Sequence, residues 1–503
     1  MRRYRHVIQF RDCTSKSAEN KSSKMIGKVL AAFLLAFVLS ESYSSAASTS
    51  HVVCYHGNWY SYKNGNGKYT PENIDPNLCT HIIYSFLGLK ADGTIYHIED
   101  WLDLEGGNLE KFVALRNKNK NLKVLVALGG WNHSKNFGAV AASPAARARF
   151  LKTSLELIER FGLDGLDFDW EYPTKRDGSS PADYQNFITL LKEFKEEFEK
   201  RGLLLTIAVS ASPSSVNSSY DVPKVSKYVD LINVMAYDLN GAWNKVTGHN
   251  APLYASSKET GAQRELNVDA AISNWLAQGA APEKLVLGIP TYGRAFRLAS
   301  TSDVSLGAPA SGPGDQGKYT GESGFLGYNE IVELRQEGGW TYVWDDEQKV
   351  PHMYKGLQWV GFDDVEAVTT KVKYAQEKNL GGVMVWALET DDHHGLSGIK
   401  NPLLTAISKQ LDRKVPAGDD PTTVTPSGAG GESSKPPTVT PSAPSSGVCT
   451  STGSVRDPKD CSKFYICSSD NGRFVATALS CPGGLYFDTK YQACNYKEQV
   501  LDC

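Results

Sequence analysis

Residues 164–173 read DGLDFDWEYP and carry four carboxylates: Asp164, Asp167, Asp169 and Glu171. Side chains of an extended chain alternate between two faces. Asp167, Asp169 and Glu171 then share one face, and Leu166, Phe168 and Trp170 the other. Neighbouring acids in the row lie roughly 6.5–7 Å apart by Cα. Asp164 has the wrong parity and joins the row only if the chain bends near Gly165. Two readings stand at this point. An edge strand would turn its acidic face to water. An enclosed row would resist joint ionisation, so at least one carboxyl would keep its proton near neutral pH. A carboxyl that holds a proton is what a general acid requires.

The elements around the row favour enclosure. Eight strands are expected between residues 52 and 390: 52–56, 81–88, 123–128, 165–170, 204–210, 231–238, 285–290 and 383–387. Helical patterns alternate with them. Tyr184, Phe187, Leu191, Phe194 and Phe198 recur at three- and four-residue spacing before Gly202, and 145–161 and 365–379 read alike. Strands alternating with helices imply a parallel sheet, and eight such units a closed (β/α)8 TIM barrel. Chemistry in such barrels gathers at the carboxyl ends of the strands. Those ends here include Tyr-His-Gly-Asn-Trp, Ser-Phe, Gly-Gly-Trp-Asn, Asp-Trp-Glu-Tyr, Tyr-Asp, Thr-Tyr-Gly-Arg and Trp-Ala-Leu-Glu. The seventh and eighth strands stand too far apart for a single helix. A small α+β insertion over about 294–360, rich in Gly, Tyr and Trp, is expected as a wall over the mouth.

The chain has 503 residues and a formal net charge of −3, with mixed signs and no long basic run, which argues against a nucleic-acid partner. Residues 25–47 read as a secretory signal: Lys28, an apolar stretch 29–39, and small residues up to Ala47. Residues 1–24 form an N-terminal extension without an assigned role. No other segment is apolar for long enough to span a membrane. An extracellular protein follows as the expectation. Of nine cysteines, Cys13 precedes the signal, Cys54 and Cys79 lie near the start of the mature chain, and six crowd into 449–503. An even number in a secreted chain points to disulfides. Residues 413–447, with TVTPS at 423–427 and again at 438–442, cannot bury a core and read as a linker. It separates a domain at 48–412 from a small disulfide-rich β module at 448–503. His393-His394 after Asp391-Asp392 lacks zinc-ligand spacing and reads as a solvated loop, so no metal or other cofactor is implied. Asn132 and Asn217 begin glycosylation sequons.

DGLDFDWE, with YSF at 84–86, LGGWN at 128–132, MAYDLNG at 235–241, PTYGRAF at 290–296 and GGVMVWALETDD at 381–392, resembles glycoside hydrolase family 18, the chitinases. The terminal module resembles the peritrophin-A type of chitin-binding domain, with intervals of 11, 5, 13, 12 and 8 between its cysteines. The chain departs from the first family at Glu389, where Asp is frequent, and at His393, where an aromatic residue is frequent.

The first resemblance implies hydrolysis of β-1,4 bonds between N-acetylglucosamine units, with the substrate's own acetamido oxygen as nucleophile. Glu171 is then the acid and base, Asp169 balances charge on the acetamido nitrogen, Asp167 shares a proton with Asp169, and Tyr237 holds the acetamido group beside Asp238. Asp164 supports the strand start. Trp386 forms the floor under the cleaved sugar, and Trp131 and Trp243 stack at flanking sugars. Tyr55, Trp59, Phe86, Met235, Tyr292 and Arg294 line the rest of the groove, with an ion-pair role as the alternative for Arg294. The second resemblance implies the pairs Cys449–Cys467, Cys461–Cys503 and Cys481–Cys494, besides a bond between Cys54 and Cys79. A secreted, monomeric endochitinase is the expectation. A chitin-binding lectin without turnover, and an endo-β-N-acetylglucosaminidase acting on N-glycans, are the alternatives. A glycan on Asn132 would crowd the groove, so that sequon is expected to be poorly used.

Overall fold

A computed structural model describes residues 49–413 and, in the terminal region, 453–470, 473–481, 485–489, 493–497 and 500. These fall into two compact units, one on each side of the Pro/Thr/Ser-rich segment. Residues 1–48, where the N-terminal extension and a secretory signal are expected, residues 414–452, which include the rest of the expected linker and Cys449, and Cys503 lie outside the described residues.

The first unit is a closed barrel of eight parallel strands. They are β1 (His51–Gly57), β2 (His81–Leu89), β3 (Lys123–Gly129), β4 (Gly165–Asp169), β5 (Leu204–Ser210), β6 (Leu231–Met235), β7 (Leu285–Pro290) and, after an insertion, β14 (Gly382–Trp386). Each pairs with its neighbour in the ring, and β1 closes it by pairing with both β14 and β2. All eight expected strands are present, with ends shifted by a few residues. The largest shift is in β6, which stops at Met235 rather than 238; the Ala236 N–H turns back onto the Val234 carbonyl, and Asp238 beyond it takes a positive φ of 55°.

Period-two alternation sorts the side chains of β4. Phe168 packs outward against Phe150 and Phe194, and Trp170 just beyond the strand stacks on Phe137. Asp167 and Asp169 point into the barrel. Below them the interior is filled by Val53, Ile83, Leu125, Ala127, Leu231, Val286 and Met384. The helix after β4 runs Asp183–Glu199 and buries Phe187, Leu191, Phe194 and Phe198 against the sheet. Each such ring contributes roughly 1.5–3 kcal/mol by leaving water. The helix before β4, Pro144–Phe161, starts at Ser143, whose side chain accepts the Ala146 N–H, and stops at Gly162 in a left-handed conformation.

Asp164 does not join the acid row. It holds the amino end of β4 from the opposite end of the barrel, accepting the Val124 N–H at 2.8 Å and pairing with Arg116 and Lys123. Asp230 does the same before β6, accepting the Leu205 N–H at 2.9 Å and pairing with Lys195.

The insertion contains a five-strand antiparallel path with a sixth strand beside it. The strands are β8 (Tyr292–Leu298), β9 (Ala310–Pro313), β10 (Phe325–Gly327), β11 (Thr341–Asp345), β12 (Val350–Lys355) and β13 (Gln358–Gly361). One helix, Tyr328–Glu337, completes its α+β character. Cys54 in β1 is bonded to Cys79 just before β2.

In the second unit Gly453–Arg456, Lys463–Asp470 and Arg473–Ser480 form an antiparallel sheet, and Leu485–Asp488 pairs with Ala493–Tyr496. Phe464 stacks on Phe487 with ring centres 4.5 Å apart, so this pair belongs to the module's small core. Cys461 and Cys481 are disulfide-bonded, but their partners and the pairing implied by the resemblance lie outside the described side chains.

Candidate active site

The acid row stands where β4 meets the mouth of the barrel. Asp167 is fully buried, Asp169 nearly so, and Glu171, just past the strand, is partly exposed. Asp167 is held by side chains from three other strands. Tyr55 of β1 donates to its Oδ2 at 2.8 Å, Thr206 of β5 to its Oδ1 at 2.5 Å, and Asn233 of β6 to the same Oδ1 at 3.2 Å. Asn233 also donates to the Tyr55 hydroxyl, which closes the network. Burial raises the Asp167 carboxyl to about 6, although these donors pull it back.

Asp169 has no such support. Its Oδ1 is buried without a partner among the described residues. Burial first, then the charges of Glu171 and Asp167, push its carboxyl well above the usual range. Burial also raises Glu171 to about 7, against the opposing pull of Tyr172 and the Arg176 charge. The three acids titrate as a group. The row that sequence parity placed on one face is therefore enclosed, and near neutral pH it holds protons.

Ser134, in the loop after β3, fixes where Glu171 stands. Its hydroxyl accepts the Glu171 N–H at 3.0 Å and lies 2.8 Å and 3.0 Å from the carbonyl oxygens of Gly130 and Asp169. Gly130 donates its own N–H to that Asp169 carbonyl at 2.8 Å.

Aromatic rings surround the acids. Trp386 ends β14, with ring centres 5.5 Å from Tyr55 and 5.7 Å from Phe86, nearly parallel to the latter. Trp59 extends this surface, stacked on Phe86 at 6.1 Å. Trp131 and Trp243 are the most open large rings of this region, each 59% exposed. Non-proline cis peptides occur at Ser85–Phe86, Glu171–Tyr172 and Trp386–Ala387, all at this end of the barrel. Tyr237 is buried in the barrel mouth, its hydroxyl 3.7 Å from Met384 Sδ, and Met235 is half-buried nearby.

Asp238 and Arg294 form a bidentate ion pair at 2.7 and 2.6 Å, and Tyr292 donates to the same carboxylate at 2.7 Å. Arg294 lies 5.2 Å from the Trp243 ring centre, so the pair also braces an open ring. The ion pair given as the alternative role for Arg294 is thus present.

One local expectation fails. Residues 391–394 are not a solvated loop. Asp391, Asp392 and His393 are buried, and only His394 is exposed. Asp391 accepts the Leu404 N–H at 3.1 Å near the start of the helix Pro402–Gln410. Asp392 accepts N–H groups from Gly395, Leu396 and Ser397, and His393 packs edge-on against Tyr69. Backbone donors make the burial of these acids affordable. No cluster of three or more metal-ligating side chains occurs among the described residues.

Thr206, Asn233, Ser134 and Arg176 were missed by sequence reasoning. The first two left a signal: each is a polar residue at inward parity with apolar residues on both sides of it in its strand. Ser134 and Arg176 left none.

With this geometry in view, comparison with known proteins is decisive. Residues 51–391 match glycosyl hydrolases family 18, and residues 449–503 match the chitin binding Peritrophin-A domain. The chain belongs to glycosyl hydrolase family 18. This family 18 chain is 37% identical to mouse chitotriosidase-1 over 466 residues, 89% of this chain and 96% of that protein. It is similar to the crystal structure of a group IV chitinase from Ostrinia furnacalis. That similarity covers 72% of this chain and 100% of the other at 48% identity and a TM-score of 0.71. It is also similar, at 37% identity and a TM-score of 0.67 over 72% of this chain and 99% of that one, to human YKL-39. YKL-39 is described as a pseudo-chitinase with retained chitooligosaccharide binding properties. The family 18 unit is a glycoside hydrolase of the chitinase type, carried with a peritrophin-A module.

Proposed function

We propose that this protein is a secreted endochitinase working by a retaining, substrate-assisted mechanism. The observation that carries the reading is Glu171. It stands at the barrel mouth with its carboxyl raised to about 7, next to Asp169, whose Oδ1 has no partner among the described residues, and beside an aromatic groove. A carboxyl so placed holds a proton for the leaving oxygen at the pH where hydrolysis would run.

The glycosidic oxygen takes the Glu171 proton as its bond to the anomeric carbon breaks. The acetamido carbonyl oxygen of the same sugar closes onto that carbon, giving an oxazolinium ion and leaving Glu171 ionised. Asp169, free of other hydrogen bonds on Oδ1, turns to the acetamido N–H and balances the positive charge. Asp167, anchored by Tyr55, Thr206 and Asn233, limits how much negative charge the row carries and shares a proton with Asp169. Tyr237 holds the acetamido group. Water then attacks the anomeric carbon, yields its proton to Glu171, and reopens the ring with retained configuration. Trp386 supports the distorted sugar from below, and stacking keeps water out. Trp131 and Trp243 take flanking sugars.

In this reading the catalytic domain spans 48–412, the linker 413–447 and the chitin-binding module 448–503. Tethering raises the local concentration of the catalytic unit at an insoluble surface. The lectin alternative requires a lost acid, and Glu171 is present with both inward aspartates. The test is a product time course on a long N-acetylglucosamine oligomer, with the anomer of the first product recorded, beside a glycoprotein substrate. Internal cleavage of the oligomer with a β-anomeric first product is expected. Inverted product, or release of N-glycans without oligomer cleavage, would overturn the proposal.

A further inference from the structure

The last barrel strand runs into a short turn, Leu388–Thr390, that the acid row does not account for. Glu389 lies in this turn and is 1% exposed. Its Oε1 accepts the Gly57 N–H at 3.1 Å, and its Oε2 meets His56 Nδ1 at 3.3 Å. Both partners belong to the end of β1, so one side chain ties the first barrel strand to the last. A carboxylate in a dry site needs donors. That requirement places a ring N–H on His56 Nδ1, facing the carboxylate. His56 Nε2 has no partner among the described residues, and the ring is stacked on Phe112 with 16° between planes. The imidazole is thereby clamped with its Nδ1 facing Glu389.

Trp59 meets the same point. A Cβ added to Gly57 would lie 2.6 Å from the Trp59 ring and 2.8 Å from Glu389 Oε1. Indole, Gly57 backbone and carboxylate are therefore packed together with no room to spare. The same indole continues the aromatic surface of the groove, 6.1 Å from Phe86 and 6.5 Å from Trp386. Trp386 itself precedes Glu389 by three residues, and the intervening Ala387 is pinned by Thr291, whose hydroxyl lies 2.6 Å from its carbonyl oxygen.

We propose that Glu389 is a positioning residue for the sugar platform: its bridge to Gly57 and His56 holds Trp59 and Trp386 as one continuous stacking surface. The inference rests on the reading of this groove as a chitooligosaccharide site. Glu389 touches no sugar. It acts through the indole of Trp59, which without the bridge can rotate off Phe86. Affinity for a chain long enough to reach Trp59 therefore depends on Glu389, while the proton on Glu171 does not.

The test is a double-mutant cycle in the full chain carrying Glu171→Gln, so that oligomers bind without turnover. Affinity for an N-acetylglucosamine hexamer is measured by calorimetry for Glu389→Met, Trp59→Ala and the pair. Glu389→Met is expected to weaken binding about 10-fold, the loss of one well-placed ring contact. In the Trp59→Ala background the same change is expected to cost less than about 2-fold. If Glu389→Met does not fold, Glu389→Asp keeps the charge one methylene shorter and is expected to give a smaller loss that again vanishes without Trp59. In an otherwise intact active site the alkaline limb of kcat/KM should stay where it is. Unchanged affinity in the Glu389 variants, or a loss that persists in full without Trp59, would overturn the positioning role. If Trp59→Ala alone leaves hexamer binding intact, the platform reading itself is wrong.

Discussion

The guanidinium of Arg176 lies 3.6 Å from the ring centre of Trp131, and its Nη1 donates to the Trp131 carbonyl at 2.8 Å. One face of an exposed indole is thus covered by a cation. The same charge pulls the Glu171 carboxyl down against burial. Arg176→Gln removes both effects. A positive charge favours the ionised acid, so its loss raises the Glu171 pKa further. The alkaline limb of the kcat/KM profile is expected to move to higher pH, and oligomer affinity to fall a few-fold, since a cation–π contact at an exposed site is worth about 0.5–1 kcal/mol. A pH–rate profile with parallel binding measurements checks both.

Ser134 links the loop after β3 to the backbone of Glu171. Ser134→Ala leaves that N–H without its acceptor and frees the segment that presents the acid. An unsatisfied, partly buried donor costs about 1–3 kcal/mol. The loss is expected in kcat more than in KM, because the acid shifts while the aromatic groove keeps its shape. Steady-state kinetics on a soluble oligomer would show it, and a KM-only change would contradict it.

The sequence carried the parts of this site that depend on local parity. Asp167 and Asp169 point inward because Leu166 and Phe168 must point out, and Phe187, Phe194 and Phe198 mark the helix that receives them. What it did not carry depends on register between strands far apart in the chain. Thr206 meets Asp167 because β4 and β5 pair Asp167 with Thr206, and Asn233 arrives from β6 through the next pairing. His393 was misread for a related reason. DDHHG is polar, but the N–H groups that bury its acids come from its own following turn and from a helix ten residues on. Glu389 looked like a variation at the rim until Gly57 and His56, at the other end of the domain's sequence, were brought beside it.

The Cys54–Cys79 bond closes a loop with a separation of 25 residues between β1 and the start of β2. Chain-entropy arguments put the stabilisation from such a loop at about 3.5 kcal/mol. The double substitution Cys54→Ala/Cys79→Ala is expected to lower stability by up to that amount and to leave the pH profile unchanged, since the bond lies in the outward layer and not beside the acids. Chemical denaturation followed by fluorescence, with activity at several pH values, measures both parts. A shifted pH optimum would mean that the barrel mouth had moved as well.

Glu171 gives the prediction with a sign that can be worked out. Its folded carboxyl is raised to about 7 from an ordinary value of 4.5. Below the ordinary value both folded and unfolded chains are protonated, and burial of this group costs nothing in charge. Between the two values the unfolded chain has lost its proton while the folded chain keeps it, so folding takes up protons and stability falls as pH rises. Above the folded value the full penalty is present. Glu171→Gln is neutral at every pH and removes this penalty. The variant should therefore melt higher than the parent at pH 8, with the difference shrinking toward pH 4. It should also lose at least about 100-fold in turnover, the lower range for a general acid, and still bind oligomers. Calorimetric melting across that pH range, beside binding and turnover, tests the coupling. A melting difference that stayed constant with pH, or grew toward acid, would mean that the proton on Glu171 is not held by burial.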